Sequence, residues 1–243
     1  FSEIDQLKSK CHTKIETIAK FERLIRDNYF NGVDQTSESW KDYILQDLLI
    51  DRPRNGFSPP KNLQSEQGIP VLTLSSVTGN NFNPHKIIYT KSDLKETAHY
   101  WVKNGDLLMT RSNTRELVGH VAVVMDIDEP TIFPDLIMKI NCKEEEVLTM
   151  FLFNYLQTSK IRNYITKKAK GANPTMVKIN QEIVKNIPIR LPSVDDQMML
   201  MNKFQEMSWH INQYKNRLNR KLKLYDDLNV SFLTQNLSGL SGN

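Results

Sequence analysis

Apolar residues recurring at three- and four-residue spacing near both ends of the chain constrain its fold more than any other feature. At the N-terminal end Ile4, Leu7, Cys11, Ile18, Phe21 and Ile25 take a and d places of a heptad, with Lys14 and Asn28 as polar exceptions. After Pro192 the pattern returns in Leu200, Phe204, Met207, Ile211, Tyr214, Leu218, Tyr225, Leu228 and Phe232, with Lys221 the exception. Ser2 with Asp5, and Ser193 with Asp196, offer a capping box at the start of each run. At 1.5 Å per residue the two helices would be roughly 40 Å and roughly 55 Å long. A helix with one long, narrow apolar stripe pairs with another helix rather than disappearing into a core. The expectation is therefore an antiparallel coiled coil; the alternative is that each helix packs separately on the middle of the chain.

That middle, from about Trp40 to Leu191, alternates short apolar runs with polar connections. Strands are expected at Val71 to Leu74, Ile87 to Thr90, Asp106 to Thr110, His120 to Met125, Leu136 to Ile140 and Ile187 to Leu191. One longer helix is expected from Glu144 to Lys168, with Leu148, Phe151, Leu152, Tyr155, Ile161 and Ile165 on its apolar face. The Pro/Gly/polar segment Asp51 to Gly68 reads as a loop. It carries Arg54 and Asn55, and its length inside a compact domain suggests a function.

Gly105 to Met125 reads as two apolar strands joined by a polar connection holding Arg111, Ser112, Asn113, Thr114 and Arg115. Held out from a packed core, such groups suit base edges, since arginine pairs with guanine and asparagine with adenine. An ordinary hairpin with a solvated tip has the same composition.

Charge is unevenly spread. The formal net charge is only +4. Between Lys160 and Arg190, however, eight basic residues stand against a single acid, Glu182. Lys215, Arg217, Arg220, Lys221 and Lys223 form a second cluster. Such density suits a phosphate backbone, although Lys167 and Lys168 would also complement the dipole at the end of the expected helix.

Other classes lack their signatures. No apolar run approaches 18 residues, and nothing at the N-terminus resembles a signal peptide. Two cysteines, Cys11 and Cys142, provide no disulfide framework, which makes the cytoplasm the expected compartment. The chain starts at Phe1 rather than Met, as a trimmed or partial sequence would. There is no Walker A loop. Asn83-Pro84-His85 lacks the second proline and the aromatic of an adenine methyltransferase pocket, and Pro134-Asp135 is followed by no nuclease-type acid and lysine. The five histidines show no metal spacing. No catalytic residue, metal site or bound cofactor is expected.

Taken in order, Gly105, Asp106, Arg111, Ser112, Asn113, Val118 and Gly119, then Gly171, Asn180, Ile187, Pro188, Leu191, Pro192 and Gln197, resemble the specificity subunit of type I restriction-modification systems. That family implies an α+β fold: one mixed, β-rich target recognition domain flanked by two long helices forming an antiparallel coiled coil. The corresponding boundaries are 1–30 and 193–237 for the helices, 31–192 for the domain and 238–243 for a disordered tail. The family's full-length subunit carries two such domains, and this chain has room for one. The implied function is recognition of one half of a bipartite DNA target, without catalysis. The implied partners are double-stranded DNA, modification subunits that bind S-adenosylmethionine and methylate adenine, and ATP- and Mg-dependent restriction subunits. A self-dimer through the coiled coil would supply a second domain.

Base reading is expected from Arg111, Ser112, Asn113 and Arg115, with Arg54 and Asn55. Phosphate contacts are expected from Lys167, Lys168, Lys170 and Lys178, with Asn173 and Thr175 beside them. The competing readings are a coiled-coil protein-interaction module and the recognition portion of a fused restriction-modification enzyme.

Overall fold

The computed structural model describes residues 2–31, 40–173 and 176–240. In chain order the elements are α1 (Ser2–Asn31), β1 (Lys41–Ile44), β2 (Arg54–Asn55), β3 (Gln64–Ser65), β4 (Ile69–Leu72), β5 (Ile87–Thr90), β6 (Trp101–Val102), β7 (Leu107–Thr110), β8 (Ser112–Asn113), β9 (Val121–Val123), β10 (Thr131–Ile132) and β11 (Ile137–Ile140). There follow α2 (Thr149–Leu156), α3 (Ser159–Lys168), β12 (Lys170–Asn173), β13 (Met176–Lys178), α4 (Gln181–Lys185), β14 (Pro188–Leu191) and α5 (Val194–Leu240). Two compact units result: residues 26–201, and a unit pairing residues 1–25 with 202–243. The chain is thus a mixed, strand-rich domain with long N- and C-terminal helices.

The strand-rich unit is built on β7, whose four residues are all buried. It lies between β11 and β9 in a four-stranded sheet of order β2-β11-β7-β9, antiparallel throughout. Leu107 faces Val123 across the β7–β9 pair, as alternating apolar runs require. Leu108, Ala122 and Ile137 enter a core with Leu72, Val77, Phe82, Val102 and Phe133. These last residues come from and around a second sheet, β3-β5-β4-β10-β6, in which β10 and β4 run parallel. Helix α2 packs on β9 through a face that buries Phe151, Leu152 and Tyr155. A sheet buried on both faces explains why β7 reads as an unbroken apolar run rather than an alternating one.

The single helix expected over Glu144 to Lys168 is two. Glu144 to Glu146 lie in a turn, α2 begins at Thr149, and the chain breaks at Gln157 and Thr158. Thr158 has extended backbone (ψ 151°), and its hydroxyl donates to Tyr155 O at 2.7 Å. This is the competition between threonine side chains and helix bonding that periodicity alone misses. The expected loop 51–68 also contains β2 and β3.

The inner ends of both long helices, residues 26–31 and 194–201, belong to this unit. Asp27 accepts from Ser159 N at 2.7 Å, at the start of α3, and Phe30 packs edge-on against Phe151 with centroids 5.0 Å apart. At the start of α5, Ser193 accepts from Asp196 N, which confirms the expected cap. Gln197 is wholly buried. It accepts from Leu148 N at 3.0 Å and donates to Glu146 O and Pro192 O. The α5 helix continues through Leu240, beyond the expected limit at 237; residues 241–243 lie outside the described residues.

In the other unit the helices pair antiparallel, with Lys8 bonded to Asp226 and Lys215 3.5 Å from Glu22. The seam corrects the heptad assignment by one row. Ile4, Cys11, Ile18 and Ile25, and Phe204, Ile211, Leu218 and Tyr225, do turn inward. Their companions are Lys8, Ile15 and Glu22 on α1, and Ser208, Lys215, Leu222 and Asn229 on α5. Leu7, Phe21, Met207, Tyr214, Leu228 and Phe232 are exposed instead; Leu200, half-buried, belongs to the strand-rich unit. Counting apolar residues favoured the wrong row because the true one contains Lys8, Glu22 and Lys215, whose charges are met across the seam. Polar residues at seam positions set register at some cost in stability.

A largely buried ion pair lies within the β7 sheet, and its lysine also reaches β6 of the neighbouring sheet. Lys139 Nζ lies 3.1 Å from Asp106 Oδ2 and donates to Trp101 O at 2.8 Å. His120, entering β9, accepts from Gly79 N at 3.0 Å through Nδ1. Burial, with the charge of Arg162 second, pulls its pKa down to about 4.

Three outcomes follow. Gln197→Ala orphans buried carbonyls and an amide and should cost about 1–3 kcal/mol in urea unfolding. Asp106→Ala strands a buried ammonium and should cost about 3–5 kcal/mol in the same assay. For His120 the native state holds the neutral form below the ordinary value of 6.5. The unfolded chain therefore takes up the proton first as pH falls from 6.5 towards 4, and stability drops across that window. His120→Gln should flatten the fall in urea midpoint there; identical slopes would contradict this.

Candidate nucleic-acid interface

The polar connection after β7 is not a projecting tip. At Arg111 the chain leaves the four-stranded sheet and enters a three-stranded one of order β12-β13-β8. Arg111 N donates to Leu136 O at 2.8 Å, and Arg111 O accepts from Ile179 N at 2.9 Å. Ser112 then pairs with Lys178, and Asn113 with Val177. Ser112 is consequently buried, at 1% exposure, which takes it off the accessible surface. Asn113 donates to Thr78 Oγ1 at 3.2 Å and accepts from Thr114 N, so its amide is spent on local structure.

Arg115 is engaged in a different way. Its guanidinium donates to Thr166 O at 2.8 Å and reaches Ala169 O at 3.5 Å, the carbonyls at the end of α3. A cation there complements the helix dipole. Arg162 donates to Glu116 O at 2.9 Å, and burial pulls its pKa down to about 10. Both arginines brace the segment that follows Asn113. Gly119 is required between them: its φ is +72°, and a Cβ there would meet Ile165 at 2.6 Å.

Arg111 is half-buried, and its side chain lines a recess of about 270 Å³ with Asn55, Asn180, Gln181 and Glu182. Its guanidinium makes one long contact, 3.4 Å to Asp135 O. Asn55 is held in β2 opposite Met138, and its carbonyl O is 2.8 Å from His99 Nε2. Arg54 is committed to Asp51 at 2.8 Å. Asn180 caps α4 by accepting from Ile183 N at 2.9 Å.

A second recess, of about 500 Å³, shares Asn180 and Glu182 with the first and adds Tyr164, Lys168, Lys170, Ile183 and Asn186. Lys167 and Lys168 occupy the last turn of α3. Lys170 stands directly opposite Lys178 across the β12–β13 pair, and both are exposed. Like charges facing each other across a ladder are unfavourable unless an anion lies between or above them. Asn173 is in β12, while Thr175 lies outside the described residues. The expected phosphate residues Lys168 and Lys170 thus come together with Arg111 and Asn55 around two adjoining recesses; Asn113, Arg115 and Arg54 are turned to other work.

Gln181 and Glu182 were missed by the sequence reading. For Glu182 a signal was available, since it is the single acid in a basic stretch; Gln181 carries none. Burial pushes the thiol of Cys142 up to about 12. Among the described residues no helix is long and apolar enough to cross a membrane.

Comparison with known proteins bears on this arrangement. Residues 37–224 match the model of the type I restriction modification DNA specificity domain. The EcoKI specificity subunit of Escherichia coli K12 is 20% identical over 249 residues, covering 98% of this chain and 53% of its own. The putative MjaX specificity subunit of Methanocaldococcus jannaschii is 25% identical over 199 residues, covering 79% of this chain and 45% of its own. The chain therefore spans about half the length of these relatives. Among solved structures, the HsdS subunit from Thermoanaerobacter tengcongensis aligns with a TM-score of 0.55 at 14% identity, over 93% of this chain and 56% of its own. A chain from a structure of type I R-M system assembly and conformational transition reaches 0.64 at 13% identity, over 96% and 57%. At these identities the structural likeness concerns the fold; the match of the family model over most of the chain shows that it belongs to the type I restriction-modification DNA specificity family.

Proposed function

We propose that this chain reads one half of a bipartite DNA sequence and takes no part in the chemistry itself. The observation that carries this reading is the convergence of Arg111 and Asn55 with Lys168 and Lys170 around two adjoining recesses that share Asn180 and Glu182. Groups able to read base edges and groups able to hold phosphates stand side by side there, as sequence-specific binding demands. The fixed backbone at Arg111 supports it further, because a preorganised reader loses little entropy on binding.

Adenine methylation and restriction are then the work of partner subunits, which would bring S-adenosylmethionine, ATP and Mg. The antiparallel helices act as spacer. By rise per residue, α1 and α5 extend about 45 Å and about 70 Å, more than the roughly 34–36 Å between half-sites one DNA turn apart. A second recognition half has to lie at the other end, in a second copy of this chain or in a further part of a longer one. The exposed rows Leu7, Phe21 and Leu24 on α1 and Met207, Tyr214 and Leu228 on α5 favour coverage of the helix pair by another protein surface.

The division of labour is testable on the assembled complex. Arg111→Ala should cost about 1–3 kcal/mol on the cognate duplex and little on a scrambled one. Lys168→Ala with Lys170→Ala should weaken both duplexes alike and lower the salt slope by about 0.9 per lost phosphate contact. Equal losses for all variants on both duplexes would contradict the assignment.

A further inference from the structure

We propose that Glu182 is a specificity residue: its carboxylate accepts a hydrogen bond from the N4 amine of a cytosine, while Arg111, on the same recess, donates to O6 and N7 of the guanine paired with it. The inference rests on the DNA-reading role proposed above and assigns one base pair within it.

Glu182 is out of place electrostatically. Between Lys160 and Arg190 it is the single acid among eight basic residues, yet it lines both recesses, beside Arg111 in one and beside Lys168 and Lys170 in the other. A carboxylate brought against a polyanion is repelled unless a donor meets it. In the major groove the donors are the exocyclic amines of cytosine and adenine. Arg111 narrows the choice. A guanidinium fork matches the two acceptors of guanine, and the donor that accompanies them on the same base pair is cytosine N4. Of the other lining groups, Asn180 already spends its carbonyl oxygen on Ile183 N, so it is less free to accept.

Glu182 also pairs with Lys185 at 2.7 Å while its own side chain remains 68% exposed. An exposed pair of this spacing contributes little to stability. It leaves the second carboxylate oxygen open. If the pair were the residue's whole purpose, removing either partner would have the same small effect on stability and none on sequence choice.

The test is methylome sequencing of a host carrying the chain with its modification partner, for the unaltered chain and for Glu182→Ala, Glu182→Gln and Lys185→Ala. With Glu182→Ala, one G·C position in this half of the methylated motif should become partly degenerate, held by Arg111 alone, with preference for cytosine falling about 5- to 100-fold. Glu182→Gln should admit adenine there, because a carboxamide can bond adenine N6 and N7. Lys185→Ala should leave the motif intact. An unchanged motif with Glu182→Ala, or degeneracy at an A·T position instead, would overturn the proposal while leaving the DNA-reading role standing. Absence of any bipartite motif with the unaltered chain would overturn both.

Discussion

The backbone of Arg111 is the joint on which the proposed recognition surface depends. Its N–H is bonded to Leu136 in the four-stranded sheet and its carbonyl to Ile179 in the three-stranded one. One residue is thereby clamped between two layers, and its side chain lines the recess that contains Asn55 and α4 residues. The burial of β7 on both faces gives the clamp its rigidity, since a strand packed on each side has nowhere to shift without opening the core. Arg115 and Arg162, bonded to Thr166 and Glu116, keep the connection beyond Asn113 from moving independently. Arginines that a composition argument sends to DNA thus include two that hold the platform on which another one works.

The helix pair is a separate problem with a similar solution. Its seam takes in Lys8, Glu22 and Lys215 where larger apolar residues were available one row away. Ion pairs across the seam fix which residues meet, at an energetic gain that is modest for exposed charges. The reward is a defined register, which the proposed spacer role requires. The apolar rows Leu7 and Phe21 on one helix and Met207, Tyr214 and Leu228 on the other are left exposed. Gln197 and Asp27, both bonded to the α2–α3 region, fix the inner ends of the helices within the strand-rich unit.

Much of the architecture was legible in the sequence because it rests on periodicity. The strands β4, β5, β7, β9, β11 and β14 follow from runs of branched apolar residues, and both long helices from heptad periodicity, the second with its Ser193–Asp196 cap. The short strands β2, β3, β8, β12 and β13 were not legible: two to four residues, most of them polar or small, carry no period, and they exist because partners elsewhere in the chain supply hydrogen bonds. The seam was misread by one row because apolar counting cannot see a charge on the opposite helix. Of the expected site residues, Arg111, Asn55, Lys168 and Lys170 come together. Ser112, Asn113, Arg54 and Arg115 differ from them only in what tertiary structure places beside them, which residue type does not encode. Glu182 stood out by its sign alone.

The central claim is that sequence choice resides in the strand-rich unit and spacing in the helices. Grafting residues 40–192 between the spacer helices of another member of the family, and sequencing the methylome of a host that carries the graft with the matching modification subunit, tests it most directly. The account predicts that one half of the methylated motif becomes the one specified by this chain while the gap between halves stays that of the recipient. A motif whose bases remain the recipient's, or whose gap moves with the graft, would contradict it.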